Sequence, residues 1–242
     1  FLKGYLFGTG DQGELLLPIY KLINPELYNN DYFVTAYFKT GFTVRFYYDY
    51  LLYFGSYLMS LEWFCFLLTI FSVGFSSFYI YSITEQIKGR HLSLFLAPIF
   101  ALVLFYDFTL GSNYLQYNHF LPSSLAKAFI IGSIYYYLKQ SFIKTSVMIG
   151  IAALLHPLAA IQVFIIFFIL EIIRKYYTVI NFKSLIRITV PFALIASFIY
   201  IPIFINLVVQ SNININTKEY YDILYTFRLP HHFNPALFSL TS

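Results

Sequence analysis

The sequence predicts an all-α protein, a polytopic transmembrane helical bundle with juxtamembrane helices and a broken or half-spanning helix pair. Hydrophobic residues make up 59% of the 242-residue chain and charged residues only 11%, too few to cover a soluble domain. Apolar stretches long enough to cross a bilayer alternate with loops that contain Lys and Arg. The net charge of +4 is spread over several loops, and no basic stretch is dense enough to predict nucleic-acid binding.

The whole of residues 1–242 is expected to form a single transmembrane domain. We expect it to be a fragment of a longer protein, because it begins at Phe1 and stops just after a new apolar stretch starts. Within it, residues 9–59 are predicted to form an external loop with juxtamembrane helices. Residues 61–209 hold the spanning helices, and residues 210–242 form a second external loop.

Two stretches of the first loop have helical character. Residues 11–31 mix acids with apolar residues at helical spacing, which is typical of a helix lying along the membrane surface. Residues 42–59 are rich in tyrosine, as is common at a membrane interface, and contain Arg45 and Asp49. This second stretch is either another juxtamembrane helix or a spanning helix that buries its two charges.

Continuous apolar stretches predict the spanning helices. Four candidates are Leu61–Ile83, Leu92–Phe108, Leu121–Leu138 and Ile188–Val209. The last contains Pro191 and Pro202, which neighbouring helices can accommodate in a membrane.

The longest apolar stretch, Thr145–Glu171, would make a helix of about 40 Å, longer than a bilayer core of about 30 Å. His156-Pro157 lies near its middle, where the proline predicts a break. Basic residues flank both ends: Lys139, Lys144, Arg174 and Lys175. We therefore expect two short helices that form a hairpin with His156-Pro157 at its tip; the alternative is one long kinked helix.

The distribution of Lys and Arg predicts the topology, because positively charged loops remain on the cytoplasmic side. Three loops should be cytoplasmic: 88–90, 139–144 and 174–187. The remaining polar segments should be external: 11–49, 111–120, the His156-Pro157 tip and 210–234. Most polar residues able to support chemistry would then share the outer face.

Asp11 and Asp31 are the candidate catalytic carboxylates. A carboxylate can act as a general base, bind a metal or cap a helix, and Asp11 precedes a helix-like run that it could cap. Glu14 lies one helical turn from Asp11 and could simply be solvated. A divalent metal would be compatible with these acids, but the sequence assigns no metal ligands.

Arg228, His231 and His232 form the densest polar cluster. Arginine binds phosphate through its planar guanidinium, and the histidines could bind phosphate, transfer a proton or coordinate a metal. The alternative is an interfacial turn whose histidines face water.

Three further residues are candidate substrate ligands. His119 ends a loop rich in amide side chains, which could bind sugar hydroxyls. Lys127 lies near the outer end of its helix and either extends to the interface or pairs with a lipid phosphate or an acid. His156 is an ionisable group within a membrane segment, which indicates a functional site.

Several short sequence segments resemble segments of largely uncharacterised bacterial multi-span proteins. They are Gly10-Asp11-Gln12, residues 25–31, Leu155-His156-Pro157 and residues 228–232. The overall plan is similar to the integral-membrane glycosyltransferase C superfamily. That resemblance implies transfer of a sugar from a polyprenyl-phosphate carrier to an acceptor at the outer face of the bacterial cytoplasmic (inner) membrane. The implied partners are a lipid-linked sugar donor and membrane lipids.

The resemblance also implies a first catalytic acid at Asp11 and a second candidate at Asp31. Two other kinds of function fit the same composition. A transporter or flippase also uses broken helices and buried ionisable groups, and a non-catalytic membrane subunit needs neither.

Overall fold

A computed structural model describes residues 4–87, 91–99, 101, 115, 117–177, 182–210, 216–223 and 226. These residues are all-helical, which confirms the predicted fold class. The helices are α1 (Asp11–Ile23), α2 (Tyr32–Lys39), α3 (Phe46–Gly55), α4 (Leu61–Gln86), α5 (His91–Ile99), α6 (Pro122–Leu138), α7 (Phe142–Leu155), α8 (Pro157–Tyr177), α9 (Phe182–Gln210) and α10 (Thr217–Ile223). Among them α4, α8 and α9 are long and apolar enough to cross a membrane.

Three short helices cover one end of the bundle. The 10 residues of α3 would extend about 15 Å, so the alternative of a spanning helix in this stretch is wrong. Leu16 and Ile19 of α1 join Tyr48 and Leu52 of α3 and Ile149 of α7 in one buried apolar core. The juxtamembrane helices are therefore fixed to the bundle by apolar packing.

The break at His156-Pro157 separates α7 from α8. The His156 N–H donates to the Ala152 carbonyl at 2.8 Å and closes α7. The His156 Nδ1 then accepts from the Ala159 N–H at 3.3 Å, which satisfies an N-terminal donor of α8. Pro157 occupies the first position of α8, where its missing N–H costs nothing.

The two helices run antiparallel, as a hairpin. The Arg174 guanidinium lies 5.9 Å from the ring centroid of Phe142, although these residues are at opposite ends of the α7–α8 pair. A continuous helix would separate them by about 48 Å. The hairpin is confirmed, and the single kinked helix is wrong.

The two arms of the hairpin differ in length. The 14 residues of α7 extend about 21 Å, less than a bilayer core, whereas α8 is long enough to cross. Two short helices were expected, so the prediction was wrong for α8.

Ring contacts show the directions of the other helices. The ring centroids of Phe75 and Phe129 are 5.3 Å apart, and those of Tyr79 and Tyr136 are 5.9 Å apart. Because residue numbers rise in the same direction along both helices, α4 and α6 run parallel. The Tyr200 hydroxyl of α9 donates to the Pro157 carbonyl at 2.7 Å. One end of the bundle therefore contains the first residues of α4, α6 and α8 and the last residues of α7 and α9. We call it the site end. We call the opposite end, with Lys139, Lys144 and Arg174, the basic end.

Side chains from other elements satisfy the carbonyls near the prolines of α9. Pro202 cannot donate to the carbonyl of Phe198, which instead accepts from the Tyr47 hydroxyl at 3.1 Å. The Ser146 hydroxyl donates to the carbonyl of Ile188, one turn before Pro191. α9 begins at Phe182, earlier than the predicted Ile188, and both prolines lie inside it. Of the predicted span 92–108, residues 92–99 belong to α5 and residue 101 is also described; the remainder lies outside the described residues.

The contact between α7 and α9 depends on a small residue. A Cβ added at Gly150 would lie 2.8 Å from the Cβ of Ile195, closer than real side chains approach. Small residues commonly allow such approach between membrane helices. Gly74 of α4, by contrast, is exposed, and a Cβ there would meet nothing within 4 Å.

We expect Gly150→Ala to destabilise the protein by about 1–3 kcal/mol, because the branched Ile195 side chain has to move. Gly74→Ala should instead stabilise by about 0.5–1 kcal/mol, since alanine is the better helix former. Thermal unfolding of both purified variants in one detergent measures the difference. Equal stability of the two variants would contradict the close α7–α9 packing.

Candidate functional site

The N-terminal segment is tied to the loop that precedes α6. The Leu6 N–H donates to the Asn118 carbonyl at 2.8 Å. The buried Gln12 side chain accepts from the Gly8 N–H at 2.8 Å and so closes the turn before α1. Gly8 and Gly10 have φ angles of 71° and 55°, which only glycine adopts readily. This turn brings the start of α1 beside His119.

Asp11 is the first residue of α1, and its side chain is exposed. The N-cap position belongs to Gly10, which has no side chain to cap with, so the capping alternative for Asp11 is wrong. The carboxylate lies at the N-terminus of the helix, where backbone N–H groups point outward. An exposed carboxylate in this position is accessible to a substrate and can act as a general base.

His119 is half-buried against the glycine turn. A Cβ at Gly10 would lie 3.3 Å from the His119 Cε1, and the His119 Nδ1 lies 2.9 Å from the Asn118 Oδ1. Burial lowers the pKa of His119 below its ordinary value of 6.5, and the charge of Asp11 opposes that shift. His119 is therefore mainly neutral at pH 7 and interacts with Asp11.

The Tyr117 ring contacts both His119 and Lys127, and Lys127 in turn interacts with His156. The Tyr117 and His119 ring centroids are 5.6 Å apart, and the Lys127 Nζ lies 5.1 Å from the Tyr117 centroid. Lys127 of α6 is partly buried and interacts electrostatically with His156 at the α7–α8 break. Since the His156 Nδ1 is an acceptor, the proton of the neutral ring is on Nε2.

Four of the predicted residues are thus connected at the site end, although they come from four separate segments. We call Asp11, His119, Lys127 and His156, together with Tyr117, the polar cluster. One carboxylate, two imidazoles and one ammonium provide a proton acceptor and a cation at the same end of the bundle. Such a set can deprotonate a hydroxyl and bind an anionic group.

The other predicted residues are placed differently. The Asp31 Oδ1 accepts from the Val34 N–H at 2.8 Å, so Asp31 is the N-cap of α2. That contact occupies one of its two carboxylate oxygens. Arg228, His231 and His232 lie outside the described residues.

Asp49 is a buried acid to which the sequence assigned no chemistry. It is 3% exposed, and its Oδ2 accepts from the Tyr37 hydroxyl, which links α2 to α3. Burial raises the pKa of Asp49 to about 7, against the opposing effects of the Tyr37 hydrogen bond and the Arg45 charge. In the sequence, the only indication of a buried acid was an aspartate within an aromatic stretch.

Three buried polar groups lie close to the start of α1. In the described part of the chain, the Gln12 Nε2 and the hydroxyls of Tyr5 and Tyr48 have no hydrogen-bond partner. The Tyr5 hydroxyl approaches the Gln12 side chain without reaching hydrogen-bond geometry. Tyr48 stacks on Phe120, next to His119, at a centroid distance of 5.8 Å.

The described ranges contain no group of three His, Cys, Asp or Glu side chains arranged to hold a metal ion. No protein-family model, curated protein or solved structure matches the chain.

The interaction between Asp11 and His119 can be measured directly. We expect Asp11→Asn to lower the pKa of His119 further, because it removes the negative charge that favours the imidazolium. Asp31→Asn should leave that pKa unchanged, since Asp31 caps a different helix. Carbon-13 NMR of labelled histidine rings in micelles, with the His119 signal assigned from His119→Gln, measures each titration. A rise in the pKa of His119 in Asp11→Asn would contradict the proximity of these two residues.

Proposed function

We propose that the protein is a membrane glycosyltransferase of the integral-membrane C type, which transfers a sugar from a polyprenyl-phosphate carrier to an acceptor. The observation that supports this proposal is the polar cluster, which combines an exposed carboxylate with a partly buried cation beneath juxtamembrane helices. A lipid-linked donor would approach from the bilayer and the acceptor from water, so a site at one end of the bundle suits both.

Asp11 acts as the general base. Its carboxylate takes the proton of an acceptor hydroxyl as that oxygen bonds to the anomeric carbon of the sugar. The bond between this carbon and the carrier phosphate breaks, and the phosphate leaves with the electron pair. His119 lies beside Asp11 and positions the acceptor.

Lys127 and His156 stabilise the departing phosphate. Lys127 supplies the positive charge, and the Nε2 proton of His156 is a further donor. Partial burial strengthens both interactions, because water competes less. We assign Arg228, His231 and His232 to the carrier phosphate as well, because arginine and histidine side chains bind phosphate.

The site end would face the outside of the bacterial cytoplasmic membrane. This orientation follows from the basic end, where Lys139, Lys144 and Arg174 belong on the cytoplasmic side by the positive-inside rule. The acceptor would then be a component of the cell envelope.

The α7–α8 hairpin favours a second candidate function. A short helix joined to a spanning helix at an ionisable residue is also a feature of transporters and flippases, whose sites lie at helix breaks. In that case the polar cluster would bind a substrate without breaking a bond. A non-catalytic subunit is the third alternative.

The role of Asp11 separates these functions. Asp11→Asn preserves shape and hydrogen bonding but removes basicity, so sugar transfer should fall by about 10²–10⁴-fold. Glu14→Gln is the matched control, because Glu14 is an exposed acid in the same helical turn, and it should retain most of the activity. Transfer from a pool of lipid-linked donors to a labelled acceptor is the measurement.

The amount of lipid-linked donor that each purified variant retains shows whether donor binding is intact. Full transfer activity in Asp11→Asn would refute Asp11 as the base. Counterflow of the sugar in proteoliposomes, without transfer by the wild type, would favour a transporter.

The orientation can be tested by cysteine labelling in a Cys65→Ser background. Cysteines at Asn30 and Asn118, both at the site end, should react with an impermeant thiol reagent added to intact cells. A cysteine at Ser141, at the basic end, should react only after the membrane is opened. The reverse pattern would invert the orientation and exclude an outer-face reaction.

A further inference from the structure

A groove of about 360 Å³ lies between α1, α2 and the turn that joins them. Its volume is in the range of ligand sites, which is about 300–1,000 Å³. The lining residues are Lys21, Tyr28, Asn29, Val34, Thr35, Phe38 and Lys39. The turn belongs to the 25–31 sequence segment, and the proposed sugar transfer makes no use of the groove beside it.

Two lysines give the groove a positive charge. Lys21 is half-buried, and its ammonium donates to the Pro25 carbonyl and the Asn29 Oδ1, which hold it at the groove wall. Lys39 lies in the last turn of α2. Thr35 and Asn29 add uncharged polar groups. These groups suit an anion with several oxygens, such as a phosphate diester.

The remaining lining residues are apolar or aromatic, which suits a membrane interface. Val34 is 1% exposed, and the Phe38 side chain is 42% exposed. Outside the groove, Tyr32 is 88% and Leu27 is 40% exposed on the same part of the chain. Exposed aromatic and aliphatic side chains beside lysines are typical of segments at the level of lipid headgroups.

The turn adopts an unusual backbone conformation at this groove. Tyr28 has a φ of 57°, which non-glycine residues rarely adopt and which carries a conformational cost. The Asp31 N–H donates to the Tyr28 carbonyl at 3.1 Å and Lys21 holds Asn29, so the surrounding contacts maintain this conformation. This conformation places Tyr28 in the wall of the groove.

We propose that this groove binds the phosphate headgroup of an anionic membrane phospholipid. The lysines contact the phosphate, and the exposed Tyr28 and Phe38 side chains contact the glycerol and the upper acyl chains. α1 is about 20 Å long, with Asp11 at one end and Lys21 at the other, so this site is separate from the polar cluster. The bound lipid holds α1 and α2 at the membrane surface.

The experiment measures retention of single lipids by the purified full chain, using native mass spectrometry. Phosphatidylglycerol, phosphatidylcholine and inorganic phosphate are titrated separately. The wild type should prefer phosphatidylglycerol, because its headgroup carries a net negative charge. Each change, Lys21→Gln or Lys39→Gln, should weaken that binding about fivefold, and the double variant about 25-fold.

Lys144→Gln is the matched control, because Lys144 is an exposed lysine at the basic end. It should leave phosphatidylglycerol binding unchanged. Lys21 also supports the turn, so Lys39→Gln keeps the test valid if Lys21→Gln unfolds the segment; thermal unfolding identifies that case. Unchanged lipid affinity in Lys39→Gln would overturn the proposal, as would an equal loss in Lys144→Gln. Lysine-dependent binding of inorganic phosphate at the affinity of the lipid would also overturn it, by identifying free phosphate as the ligand.

Discussion

The return of α8 along α7 is the constraint on which the rest of the structure depends, and a buried carboxylate is paired where the two helices close. Glu171 is 4% exposed; the Tyr137 hydroxyl donates to it at 3.0 Å, and the Arg174 guanidinium lies 3.6 Å away. Tyr137 also stacks on Phe167 at 4.4 Å. These contacts join the end of α6 to the end of α8, beside the start of α7. A buried carboxylate without them would be costly, so the hairpin closes where all of them can form.

The hairpin also decides where the candidate site is. Because α7 ends and α8 begins at the site end, His156 reaches the same end of the bundle as the start of α6, which carries Lys127. The glycine turn before α1 and its backbone contact with Asn118 bring Asp11 there as well. Each segment contributes one chemical group, and the apolar core under α1 and α3 holds the segments together. The site is thus a consequence of helix direction and packing.

The need to hydrogen-bond every backbone carbonyl explains where several polar side chains lie in the bundle. The Asn206 side chain donates to the Thr40 and Phe42 carbonyls, and Tyr47 donates to the Phe198 carbonyl released by Pro202. In an apolar surrounding an unpaired carbonyl is expensive, so these polar side chains occur where regular helical bonding fails. The same contacts attach the loop between α2 and α3 to α9, which explains how proline residues inside a spanning helix coexist with an ordered juxtamembrane region.

Sequence alone determined the helical class, the start of α4 at Leu61, the break at His156-Pro157 and four members of the polar cluster, because hydrophobic length, proline and isolated polar residues act locally. Only the tertiary structure decided between a hairpin and a kinked helix, since both have the same local pattern of apolar residues and differ in long-range contacts such as Arg174 with Phe142. It likewise assigned Asp31 to a helix cap and buried Asp49. The environment of a carboxylate depends on neighbours that are distant in sequence, which local patterns cannot specify.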